Sequence, residues 1–120
     1  MSEQSILRLL KSSKPFHWTA HSKAKMRQYG LTESRVKRVL HSPLRVETGI
    51  ADETIAVMQP ASVKKTLKGK PAEWKQEIWV MIVEEPRRRK VISAWRYPGV
   101  TKPGEPLPET VAGEIEEALG

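Results

Sequence analysis

A chain of 120 residues with 38% hydrophobic and 29% charged residues is the size of one globular domain, and its lack of cysteine excludes a disulfide framework and a thiolate metal site. The longest apolar run, Ile78 to Val83, falls far short of the roughly 18 residues of a spanning helix, so no membrane partner is expected. Net charge is +7 and unevenly placed: residues 1–100 hold 20 Lys or Arg against nine Asp or Glu, whereas residues 101–120 hold Lys102 against five glutamates.

In chain order, Ile6, Leu9 and Leu10 stand at helical spacing, which predicts a short first helix over Ser5 to Lys11. No small-residue cleavage site follows that cluster, so the expectation is a cytoplasmic protein without a leader. Phe16 to Thr19 alternates large apolar with polar residues as a brief strand does. Thr19 or Ser22 is then suited to cap a helix running to Tyr29, with Gly30 as its left-handed cap. Thr32 caps the next helix, whose Val36, Val39 and Leu40 form one apolar stripe, and Ser42-Pro43 stops it.

Leu44 to Thr48 and Thr54 to Gln59 both alternate and predict a hairpin, with Leu44 and Val46 matched to Ile55 and Val57. Pro60 to Lys75 has no periodicity and five lysines, Lys64, Lys65, Lys68, Lys70 and Lys75, so it is expected to be a basic loop. Gln76 to Glu85, apolar on both faces, predicts the central strand. Pro86 to Arg89 turns the chain and Lys90 to Tyr97 returns beside it. Pro98 to Pro108 predicts an extended arm before an acidic helix from Glu109 to Leu119, with Val111, Ile115 and Leu119 to dock it.

The order of elements implies an α+β fold: two main helices packed on one face of a three- to four-stranded antiparallel sheet, with short N- and C-terminal helices. Residues 1–100 form the basic domain, and 101–120 the Pro-rich arm and acidic tail.

Two histidines, His17 and His21, stand four apart, a spacing that binds zinc on a helix. Trp18 occupies the place where that pattern needs glutamate, and no third ligand is near in sequence, so neither a metal nor another cofactor is expected.

The stretch from His21 to Thr32, with Lys23, Lys25, Met26, Arg27, Gly30 and Leu31, precedes the Val36, Val39, Leu40, Pro43 helix. It resembles the signature of a widespread bacterial family of uncharacterised function, the DUF4258 type, over roughly Phe16 to Tyr97, with Pro60 to Lys75 as an insertion. Such domains are similar to the small ribonuclease toxins of toxin–antitoxin modules, and the resemblance implies metal-free RNA cleavage. By position His21 matches the family's histidine and Lys25 its first basic residue, whereas Tyr29 replaces the second.

Cleaving RNA without metal requires a base for the 2′-hydroxyl, cations for the developing phosphorane charge and an acid for the leaving oxygen. His21 is the natural proton carrier, with Lys25 one turn on along the same helix face. Arg96 and Tyr97, at the end of the last strand, add a charge clamp and a phenol or stacking ring. The plainer expectations are that His21 orders the start of its helix and that Arg96 pairs with Glu77 or Glu84 across the strands.

Arg87, Arg88, Arg89 and Lys90 concentrate four cations in one turn, and with the lysine loop they are expected to share one edge of the sheet as a phosphate-binding surface. Trp95 is the aromatic best placed to stack a base, while Trp79, flanked by apolar residues, reads as core. The expectation is an RNA-binding protein, with a toxin-like endoribonuclease as its sharpest form. The alternatives are a non-catalytic nucleic-acid or ribosome-binding module and an adaptor for an acidic partner such as an antitoxin.

Overall fold

The computed structural model describes residues 14–48, 53–64 and 67–102, with Gln4, Leu7, Arg8 and Leu10 ahead of them, all four helical. Most of the helix expected over Ser5 to Lys11, and all of the acidic helix expected over Glu109 to Leu119, lie outside the described residues. The elements in order are β1 (Phe16–Trp18), α1 (Ala20–Tyr29), α2 (Glu33–His41), β2 (Arg45–Thr48), β3 (Thr54–Pro60), β4 (Glu77–Glu84) and β5 (Arg89–Tyr97).

Both helices start and stop on local chemistry. Thr19 is extended, and its hydroxyl accepts the Ser22 N–H at 3.0 Å, satisfying one orphan donor of the first turn of α1. Gly30 (φ 65°) ends α1 in the left-handed region, where the Leu31 N–H folds back to the Met26 carbonyl at 2.8 Å. Thr32 caps α2 in the same way, accepting the Arg35 N–H at 3.1 Å. On α2, Val36, Val39 and Leu40 are wholly buried, each contributing roughly 1.5–3 kcal/mol of apolar transfer.

The sheet has five strands in the order β1-β5-β4-β3-β2 and is mixed, which corrects the expectation of three or four antiparallel strands. The extra strand is β1, which pairs parallel with β5 through Phe16–Arg89, His17–Lys90 and Trp18–Val91. Three residues are too few to show a period, and a pairing across more than 70 positions leaves no local trace. The remaining neighbours are antiparallel, and β4 is central as its double-sided apolar pattern requires.

Leu44 does not face the core as expected. Val46 opposes Val57 and Thr48 opposes Ile55, and Leu44 is 52% exposed beyond the strand.

Two apolar clusters occupy the two sheet faces. Leu31, Val36, Val39 and Leu40 pack with Ile55, Val57, Ile78, Val80, Ile82 and Val91 under the helices. On the other face lie Ala56, Met58, Trp79, Met81, Ile92 and Trp95.

The Pro60 to Lys75 segment is more ordered than a loop. Ala61 N–H bonds to Gln76 O at 2.9 Å and Lys64 N–H to Glu73 O at 2.8 Å, so the β3–β4 pairing continues past the sheet in the same register. The alternation that normally reveals a strand is absent because most of this ribbon's described residues are exposed, and only Ala61, Trp74 and Gln76 near its base are partly buried.

Candidate nucleic-acid interface

The candidate site forms where β3 ends, β4 begins and β5 ends. Gln59, Ile78 and Arg96 are cross-strand neighbours in one row, and α1 ends and α2 begins above them. Arg35, in the first turn of α2, donates from Nη1 to Gln59 Oε1 at 2.5 Å and from Nη2 to the Pro60 carbonyl at 3.1 Å. Arg96 donates from Nε to the Tyr29 carbonyl at 2.7 Å and from Nη1 to Gln76 Oε1 at 3.3 Å.

These acceptors are all neutral. Among the described residues no carboxylate comes within ion-pair distance of Arg35, Arg38 or Arg96, so the hydrogen bonds fix the Arg35 and Arg96 guanidinium groups without cancelling their charge. Burial lowers the Arg35 pKa from its ordinary value, and the charges of Arg38 and Arg96 lower it further. It remains a cation at any physiological pH. Arg35 and Arg96, held by neutral acceptors, and the exposed Arg38 near them concentrate positive charge at this end of the sheet without an ion-pair partner among the described residues.

A groove of about 620 Å³ adjoins the arginines. Ala61, Val63, Lys64, Trp74, Gln76 and Val100 line it, so Ala61 and Gln76 belong to both features. Lys75 adds a cation to its wall and Glu73 a carboxylate. Trp74 is held in place by its indole N–H, which donates to Glu77 at 2.9 Å.

Beneath the groove Glu77 is fully buried, yet its carboxylate accepts four hydrogen bonds: from the indoles of Trp74 and Trp79, and from the Thr101 hydroxyl and N–H. The Thr101 hydroxyl in turn accepts from Arg45, whose guanidinium lies 5.2 Å from the Trp79 ring centre. This network anchors the chain after β5 to the start of β4 and sets the position of Val100.

Comparison with protein-family models, curated proteins and solved structures finds no match. The likeness drawn from His21 to Thr32 therefore rests on those residues.

The four residues expected to share a catalytic cleft are not gathered in one. His21 lies in the first turn of α1 and Arg96 meets the last residue of that helix, which separates them by roughly 12 Å of helix axis at about 1.5 Å per residue. Lys25 stands midway along α1, within 3.4 Å of Gln28. Tyr97 packs against the Trp79 and Trp95 cluster, on the sheet face opposite the one Arg96 serves, as alternation along a strand dictates. The metal spacing dissolves for a related reason: His17 is in a strand and His21 in a helix, so the two are not one turn apart on one helix face.

The basic turn is corrected in part. Arg89 is the first residue of β5, 1% exposed and paired with Glu84, with its Nη1 on the Leu10 carbonyl at 3.2 Å. It is a structural cation, out of reach of a phosphate. Arg88 pairs with Glu85 at 2.7 Å, and that hydrogen bond holds the Glu85 carboxyl below its ordinary pKa. Arg87 is exposed and Lys90 half-buried.

This turn and the lysine ribbon do not share one edge. They leave opposite ends of β4, whose eight residues span roughly 25 Å at about 3.3 Å each. Lys64, Lys68, Lys70 and Lys75 are exposed on the ribbon, and Lys65 lies outside the described residues. Trp95 is 4% exposed and stacked on Trp79 with ring centres 6.2 Å apart, so the aromatic expected to stack a base is part of the core.

Sequence reasoning missed Arg35, Arg38, Gln59, Gln76 and Trp74. The available signal was the pair of glutamines at the inner ends of two neighbouring strands, where an amide is an economical partner for a guanidinium. Nothing in the spacing pointed from either glutamine to its arginine.

Proposed function

We propose that this protein binds RNA through its phosphate backbone, at the sheet end formed by Arg35, Arg38, Arg96 and the Lys64–Lys75 ribbon, and that it does so without cutting the strand. The observation that carries this reading is the set of guanidinium groups held by amides and carbonyls and by no carboxylate. Each arginine retains N–H donors beyond those its protein partners use, and a phosphate oxygen is the acceptor that matches them. The resemblance to ribonuclease-like domains supports RNA as the polyanion. Binding is preferred to cleavage because the proton carrier His21 stands at the far end of α1 from the charge clamp.

The test is the affinity for labelled single-stranded RNA as a function of salt. Wild-type protein is expected to bind with a steep negative log–log slope. Arg35→Gln should weaken binding and flatten that slope by about 0.7 for each phosphate that is no longer neutralised. Absence of binding at low salt would overturn the proposal, and binding of an acidic protein in its place would favour an adaptor.

A further inference from the structure

The arginine cluster and the groove beside it differ in chemistry. One is cationic and rigid. The other is a concavity of about 620 Å³ whose walls combine Trp74, Val63, Val100 and Ala61 with the polar Gln76 and Lys64. That volume falls within the range of small-ligand sites, and a wall that sets the Trp74 ring and small apolar side chains beside polar groups, the Glu73 carboxylate among them, offers a flat heterocycle both an apolar face and hydrogen-bonding partners.

We infer that the groove takes an unpaired nucleobase whose phosphate is held by Arg35 and Arg96, so that the protein selects single-stranded or flipped-out RNA over duplex. This rests on the phosphate-binding reading above and adds a second point of attachment to it. Three observations carry it.

The first is continuity. Ala61 gives its carbonyl to Arg35 at 3.5 Å, Gln76 gives its amide oxygen to Arg96 at 3.3 Å, and both residues also line the groove. A base and its own phosphate are joined by one sugar, so they need two adjoining sites of this kind.

The second is preorganisation. Trp74 is tethered through its indole nitrogen to the buried Glu77, and Lys64 is fixed by backbone pairing to Glu73, so both walls are in place before a ligand arrives.

The third is unexplained apolar exposure. Val63 is 54% and Val100 52% exposed, although both sit beside ordered backbone next to the core. Apolar side chains left in water around a concavity mark a binding surface, and the charge of the adjoining arginines commits the occupant to an anion carrying an apolar face. In a duplex the base faces are stacked against one another and inaccessible, so only an unpaired base fills the site.

The experiment compares three fluorescently labelled probes of equal length at one salt concentration: a single-stranded RNA, the duplex it forms with its complement, and an abasic ribose-phosphate strand. The single strand is expected to bind more tightly than the abasic strand by about 5- to 150-fold, the range of one stacked base, and more tightly than the duplex. Val63→Ser and Val100→Ser, substitutions at exposed positions that add no charge, should remove that preference while the abasic strand is still bound. Arg35→Gln should weaken binding of all three probes together.

Equal affinity for single-stranded and abasic probes, or a preference that survives both valine substitutions, would overturn the base pocket and leave phosphate binding standing. Failure to bind any probe would overturn both.

Discussion

The Arg96 guanidinium donates to the carbonyl of Tyr29 at 2.7 Å, tying the end of the last strand to the last residue of α1. A cation at that place meets the negative end of the helix dipole and one of its unsatisfied carbonyls, so the bond stabilises the helix while presenting positive charge at the sheet end. Arg96→Ala is expected to lower folding stability by about 1–3 kcal/mol and to weaken RNA binding. Arg96→Lys should keep part of the affinity and lose the two-nitrogen grip on Tyr29 and Gln76. Urea denaturation and anisotropy titration on the same preparations separate the two effects.

Removing the proton carrier should change nothing about the RNA. His21→Ala is expected to bind labelled RNA as the wild type does, and both should leave it intact after long incubation in EDTA. Cleavage by the wild type that vanishes in the variant would show that the site is assembled in a way this structure does not contain.

The buried Arg89 pairs with the partly buried Glu84 at the opposite end of β4. Arg89→Ala would leave the Glu84 carboxylate with Lys14 as its remaining ion-pair partner among the described residues, and should destabilise the fold by about 1–3 kcal/mol. The exposed neighbour Arg87→Ala should cost less than about 0.5 kcal/mol. Thermal unfolding of the two variants checks this contrast, and near-equal melting temperatures would contradict the burial of Arg89.

Glu77 accepts four donors in the core, two on each oxygen, so replacing one carboxylate oxygen with an NH₂ group sets that group against two other donors. Glu77→Gln is expected to cost about 1–3 kcal/mol and to loosen Trp74, visible as a change in tryptophan fluorescence. An unchanged urea midpoint would show that the network contributes little.

Gly30 adopts φ 65° with open space around its α-carbon. Gly30→Ala therefore meets no clash, and its cost is the left-handed conformation itself, about 1–2 kcal/mol. RNA affinity of the folded variant should match that of the wild type, because the substitution removes no charge.

Much of this fold was legible along the chain. Thr19, Gly30 and Thr32 mark helix ends through bonds that reach no further than five residues, and the unbroken apolar run of β4 requires cover on both faces wherever its neighbours lie. The β1–β5 pairing was not legible, because three residues carry no periodicity and their partners stand more than 70 positions away. Alternation along β5 did contain a warning, since Arg96 and Tyr97 as consecutive strand residues face opposite ways and cannot serve one cleft.

From the sequence alone came the helix caps, the central strand, the excess of positive charge and its separation from an acidic tail, all of which depend on local chemistry or on simple counting. Which cations act together was decided by the tertiary structure. Arg89 and Arg87 are two positions apart, yet one is buried at the start of an inner strand and the other is exposed. Arg35 and Arg96 are distant in sequence and meet because two helices end and begin over the same row of strand residues. Electrostatic influence follows distance through space and the neutrality of whatever fills it, and neither is written in the order of residues.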